Sequence, residues 1–135
     1  MLKLVEKVQS IYAAFGRGDV PAILEHVADD CDWEYQPTPG VPWLEQRRGR
    51  AGAGAFFQAV GTELEITHFA AKTFAEAPGC IVVLVDIEAK VRRNGNRIRE
   101  TDEMHVWHFG ADGRVVRFRH GVDTAAHLRA WNGGR

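Results

Sequence analysis

What most constrains the fold is the second half of the chain, where long alternating segments are separated by tight turns. The segments are Leu64 to Phe74, Cys80 to Val91, Arg97 to Phe109 and Arg114 to Val122, and the breaks are Ala77-Pro78-Gly79, Asn94-Gly95 and Asp112-Gly113. Segments this long with connections this short pair with their sequence neighbours, which predicts a four-stranded antiparallel meander.

The last hairpin of that meander, Glu103 to Asp123, carries the densest chemistry. Alternation puts Glu103, His105, Trp107 and Phe109 on one face and Met104, Val106 and His108 on the other. Gly110 to Gly113 suits a type I turn closed by Gly113 in the left-handed region. If Gly110 pairs with Arg114, His105 stands opposite Arg119, Trp107 opposite Arg117 and Glu103 opposite Gly121. A face mixing imidazole, carboxylate, guanidinium and indole is either wet surface or the floor of a polar pocket.

The first half is helical with one short strand. Leu4, Val8, Ile11, Tyr12 and Phe15 recur at helical spacing and Gly16 and Gly18 end the pattern, giving a helix over about 3–16. Asp19 before Val20-Pro21 reads as an N-cap for a second short helix ending near Ala28. Cys31 to Gln36 alternates as a strand, with Cys31, Trp33 and Tyr35 on one face and Asp32, Glu34 and Gln36 on the other. Pro42 to Gly52 is irregular, Ala53 to Val60 reads as a third helix, and Thr124 to Trp131 closes the chain as a short helix with Asp123 as its cap. Helices gathered before a long curved sheet make an α+β fold. The amphipathic helices and the apolar side of the sheet are both buried only if the helices cross the concave face, which leaves a cavity between the layers.

Composition narrows the partners. The 135 residues imply one domain over residues 1–132, with 133–135 as a frayed tail. Seventeen Lys plus Arg against eighteen Asp plus Glu leave a net charge of −1, so no overall basic field favours nucleic acid or an anionic membrane. Cys31 and Cys80 lack metal-ligand spacing and read as buried thiols in a reducing cytoplasm. Charges within the N-terminal apolar stretch argue against a signal peptide, and no apolar run reaches the length of a membrane span, so a soluble, unexported chain is expected.

Four stretches carry a resemblance: YAAFGRGD at Tyr12 to Asp19, ADDCDWE at Ala28 to Glu34, GRAGAGAFF at Gly49 to Phe57, and FGADGRV at Phe109 to Val115. Over nearly its whole length the chain resembles the nuclear transport factor 2-like superfamily, and within it the SnoaL-like and ketosteroid-isomerase-like proteins. The resemblance implies a cone-shaped antiparallel sheet with helices on its concave face. His105 falls where the isomerases place a protonated Asp that donates to the steroid oxyanion, and SnoaL-like cyclases also place a histidine on this strand. The isomerases' general-base Asp aligns with Tyr35, their oxyanion Tyr aligns near Ile11 with Tyr12 one place off, and the cyclases' acid/base Asp aligns with Arg119. Neither reaction is therefore matched by a complete set of groups.

Taken residue by residue, His105 is either a proton shuttle or a histidine hydrogen-bonded in a polar wall. Arg119 either stabilises an enolate oxygen or pairs with Glu103 or Asp123. Glu103 is a general base or that arginine's counter-ion, and Asp123 reaches the pocket mouth or caps a helix. His26, His68, His108, His120 and His127 default to the surface, as do the acidic run Asp29, Asp30, Asp32 and Glu34 and the basic tip from Arg92 to Arg99. Tyr12, Phe15, Trp33, Tyr35, Trp43, Phe56, Trp107 and Asp123 are the expected substrate contacts, with His105, Arg119 and Glu103 as the catalytic set. The expected protein is a homodimer joined through Met104, Val106, Val116, Phe118 and Val122, with a hydrophobic small-molecule ligand, no cofactor, no metal, and no nucleic-acid or membrane partner. It would be a cofactor-independent isomerase or cyclase acting on a cyclic or polyketide-like carbonyl compound; the alternative is a ligand-binding or association domain without catalysis.

Overall fold

Alternation in the second half of the chain builds the sheet that organises everything else. The structure, a computed structural model, describes residues 3–34 and 37–133. Tyr35, Gln36 and the last two residues of the expected frayed tail therefore lie outside the described residues. In chain order the elements are α1 (Leu4–Gly16), α2 (Val20–Leu24), β1 (Val27–Trp33), a 3-10 turn (Pro42–Leu44), β2 (Arg47–Arg48), α3 (Gly49–Glu63), β3 (Leu64–Ala77), β4 (Cys80–Val91), β5 (Arg97–Phe109), β6 (Val115–Gly121) and α4 (Thr124–Trp131).

The meander β3 to β6 forms as expected and is extended by two strands, in the order β2-β1-β6-β5-β4-β3. The pairing of β1 with β6 is parallel and the rest are antiparallel, so the curved, unclosed sheet is mixed. α1 and α3 cross its concave side. The apolar stripe Val8, Ile11 and Ala14 of α1 and Ala53, Phe56 and Val60 of α3 are buried there. Trp33 is fully buried between the layers and stacks on Phe118 at 4.4 Å, and Trp107 lies 4.4 Å from the same ring.

α3 starts earlier and ends later than its apolar run alone suggests. Gly49 has φ +75°, and a Cβ there would lie 2.6 Å from the Asp29 carbonyl, so only glycine lets the helix leave β2 so close to β1. Arg50 then fixes the junction, donating to the carbonyls of Leu24 and Val27 and pairing with Asp29 at 2.9 Å. At the other end, Asp123 caps α4 by accepting from the Ala126 N–H at 3.0 Å. The basic hairpin tip is exposed, as expected, and is also tied to α4. Arg93 lies over the Trp131 ring and donates to the Trp131 carbonyl, while Asn94 and Asn96 donate to that of Ala130, so cations and amides cap the negative end of α4.

Two bulges re-aim the strands that matter most. The β5–β6 turn is as expected, with Gly110 N–H donating to Arg114 and Gly113 at φ +79°. Beyond it, however, Phe109 pairs with Val115 and His108 with Arg117, so Val116 is looped out and the register slips by one. His105 therefore faces His120, Trp107 faces Phe118, and Arg119 pairs with Val106 on the outer face. In β5 the pairing with β4 skips from Val85–Glu103 to Ile87–Glu100, with Asp102 at φ +63° and its N–H donated to Asp86. Thr101 and Asp102 are both exposed, and Glu100 and Glu103 consequently share the concave face.

The slip also corrects the outer face. Phe118, expected on the convex apolar stripe, is buried in the core, whereas Met104 and Val116 are exposed there beside Arg117 and Arg119. Neither cysteine is in a disulfide; Cys31 is buried and Cys80 half-buried. No helix among the described residues is long and apolar enough to cross a membrane.

Candidate functional site

The concave side of the sheet and the two long helices enclose a cavity with about 70 Å³ of room for the centres of water-sized molecules. Its walls are mostly hydrocarbon. Ile11, Tyr12 and Phe15 come from α1, Phe56, Phe57 and Val60 from α3, and Leu64, Ile66, Phe69, Ile87, Ala89 and Ile98 from the β3–β5 part of the sheet. Trp43 and His127 close one end. Glu103, His105 and Trp107 of β5 and Phe118 and His120 of β6 complete the lining. An apolar cleft with a few convergent polar groups is the usual form of a small-molecule pocket.

The polar groups form a directed chain. Trp107 Nε1–H donates to Tyr12 Oη at 3.1 Å, Tyr12 Oη contacts His105 Nδ1 at 2.6 Å, and His105 Nε2 contacts Glu103 Oε2 at 2.6 Å. Burial alone would raise the Glu103 carboxyl, but the hydrogen bond from His105 and the charge on His120 outweigh it and hold it at about 2. An ionised Glu103 can only accept, so His105 Nε2 carries the hydrogen and Nδ1 accepts the Tyr12 O–H. Burial pushes the His105 imidazole below its ordinary value against the pull of Glu103, so the ring is neutral at pH 7. Burial likewise raises Tyr12, opposed by the Trp107 hydrogen bond and helped by Glu103, and the phenol stays protonated.

The second histidine behaves oppositely. Burial works against a charge on His120, yet Glu34, with Glu103 and Glu100 behind it, pulls the ring above its ordinary value. His120 Nδ1 contacts Glu34 Oε2 at 2.7 Å as an ion pair off the line of a good hydrogen bond, and the His120 backbone N–H donates to Glu34 Oε1 at 3.3 Å. The His105 and His120 rings are 5.0 Å apart at their centres. One wall thus holds a neutral imidazole backed by Glu103 and a second that Glu34 draws toward its charged form.

A third pair adjoins them. Trp43 Nε1–H donates to His127 Nδ1 at 2.9 Å, so Nε2 carries the hydrogen that His127 gives to Glu100 Oε2 at 2.5 Å. Glu100 Oε1 also accepts the Asp123 N–H at 2.9 Å. The donor atoms of Glu103, His105 and His120, and those of Glu100, Glu103 and His127, lie within 4.8 Å of one another, a spacing that a divalent ion could use. In the structure these donors are occupied chiefly by hydrogen bonds and ion pairs among themselves and with Tyr12, Trp43 and Glu34.

Of the residues expected from sequence, Tyr12, Phe15, Trp43, Phe56, Glu103, His105 and Trp107 line the cavity. Arg119 does not, because the Val116 bulge turns it to the other face. Trp33 belongs to the core behind the lining, Asp123 is an exposed helix cap, and Tyr35 lies outside the described residues. Glu34, His120 and His127, expected on the surface, are buried or nearly so. Glu34 turns inward because its φ of +59° breaks the alternation of β1. The signal for His120 was the three-residue spacing of Val115 and Phe118, and for His127 its helical spacing with Ala130 and Trp131.

Residues 8–118 match the family described as SnoaL-like domain. Among solved structures, a nuclear transport factor 2-like protein of unknown function from Burkholderia pseudomallei is 29% identical with a TM-score of 0.80, covering 96% of this chain and 98% of that one. A nuclear transport factor 2-like protein from Burkholderia xenovorans is 25% identical with a TM-score of 0.84, covering 96% and 95%. TerC, co-crystallised with polyporic acid, is 25% identical with a TM-score of 0.78, covering 96% and 98%. No curated protein matches the chain.

Proposed function

Since the chain belongs to the SnoaL-like domain family, we propose that its cavity is the active site of an isomerase- or cyclase-type enzyme that moves a proton on a cyclic or polyketide-like carbonyl compound without a cofactor. The observation that carries this reading is the Trp107–Tyr12–His105–Glu103 chain set into an apolar cavity. TerC, crystallised with polyporic acid, supports a small-molecule occupant.

Mechanism follows from which atoms can donate. When a carbonyl oxygen reaches Tyr12, rotation of the hydroxyl hydrogen alone turns its hydrogen bond from His105 to the substrate, and His105 Nδ1 is left as a free base. His105 then takes the proton from the carbon beside the carbonyl. The bonding pair becomes the enolate π bond, and the carbonyl electrons move to oxygen, where the Tyr12 O–H and a His120 N–H stabilise them. Glu103 holds the imidazolium that forms, and His105 returns the proton either to the same carbon, which is exchange, or, where a C=C adjoins that carbon and the anion is a dienolate, to the far end of the dienolate, which is isomerisation. The opposite directions in which the two histidines are shifted are those the step needs, which is the pattern of paired groups pushed apart in acidity.

Deuterium exchange tests it. A panel of cyclic ketones incubated in deuterated water should include members whose hydrogens beside the carbonyl exchange faster with the protein than without it. Members that raise the melting temperature with no catalysed exchange would support the alternative, a binding domain.

We also propose a homodimer through the outer face of the sheet, on narrower grounds than the sequence suggested. Met104 is 46% exposed and Val116 37% exposed, an apolar pair amid arginines on the outer face. Sedimentation at micromolar concentration should show a dimer, and a monomer refutes it.

A further inference from the structure

The sequence suggested a guanidinium in the pocket, and its removal to the other face changes what the pocket can hold. No lysine or arginine lines the cavity among the described residues. The polar wall instead rests on Glu34, Glu100 and Glu103, whose side chains are 5%, 10% and 4% exposed. Against them stands His120. His127 accepts the Trp43 N–H at Nδ1 and His105 accepts the Tyr12 O–H at Nδ1, so both of these rings are held in neutral tautomers by their neighbours.

We propose that this cavity selects by charge, taking neutral ring compounds that carry a carbonyl and rejecting the corresponding carboxylates. The inference rests on the reading of the cavity as the substrate site and names the class of substrate. A neutral carbonyl oxygen needs only the Tyr12 O–H and a His120 N–H. A carboxylate entering the same place gives up its water, finds no guanidinium or ammonium and only a His120 ring already paired with Glu34, and lies against Glu103 with Glu34 and Glu100 behind His120 and His127, a repulsion strengthened by the apolar walls.

The test is a matched pair of nearly equal shape, 2-acetylnaphthalene and 2-naphthoate, titrated calorimetrically into the wild-type protein at pH 7. The ketone is expected to bind about tenfold or more tightly than the carboxylate. Glu100→Gln is expected to narrow that ratio by about threefold or more, chiefly by improving binding of the carboxylate, and a melting curve for the variant reports its folding. Equal or tighter binding of 2-naphthoate by the wild type overturns the proposal, as does failure of both compounds to bind. If the ketone binds selectively but its methyl hydrogens do not exchange with deuterium, the proton-transfer reading fails and the charge selection stands.

Discussion

Replacing His105 with alanine should lower catalysed deuterium exchange by about 10²- to 10⁴-fold, the usual share of a positioned general base. The loss is specific because no neighbour can substitute. Glu103 also lines the cavity, but a carboxyl held at about 2 is a far weaker base than an imidazole, and Glu34 draws His120 toward the form that has no lone pair to offer. His105→Gln, which keeps a polar side chain against Glu103, should restore stability without restoring exchange. Arg119→Ala should leave exchange within about twofold, since surface changes away from a site are usually small in effect and Arg119 pairs with Val106 on the far face. The pH profile follows from the direction of the shift. A His105 held below its ordinary value stays an active base down through the range where a free histidine would be protonated, so exchange should fall off only on the acid side of pH 6.5. An acid limb centred above 6.5, or exchange that survives His105→Ala, removes His105 from the mechanism.

How far the sequence reaches is visible in β5 and β6. Both strands, the turn between them and the Asp123 cap of α4 follow from alternation and turn chemistry, because each is written in side chains a few residues apart. His105, Glu103 and Trp107 share the concave face that alternation gives them. The partner strand was not legible in this way, because a bulge adds a residue without a signature of its own and a slip of one reverses every side chain beyond it. Yet the sequence held the clue: Val115 and Phe118, three apart, can both reach the core only if one residue between them is looped out. Glu100 and Glu103 obey the same rule around Thr101 and Asp102. Glu34 had no such clue, since its inward turn depends on a left-handed backbone that a glutamate adopts only when its surroundings hold it there.

That held conformation makes Glu34 the site of the largest expected effect on stability. Glu34→Gln keeps the shape and removes the charge, leaving the His120 imidazolium buried with Glu103 4.0 Å away as its nearest counter-charge. Breaking a buried pair from one side costs about 3–5 kcal/mol, and urea unfolding at pH 6 should show a loss of that order. The sign of its pH dependence is fixed by the raised pKa of His120. A raised group adds stability that is complete below the unfolded value near 6.5 and is lost as pH climbs through the folded value. The difference between wild type and Glu34→Gln should therefore be widest in mild acid and shrink in alkali, where His120 is neutral in both proteins. Nuclear magnetic resonance titration should show the His120 midpoint lower in the variant than in wild type. A difference that grows with pH, or a His120 midpoint unmoved by the substitution, would mean that Glu34 is not what keeps this imidazole charged, and the assignment of His120 as the enolate's proton-bearing partner would go with it.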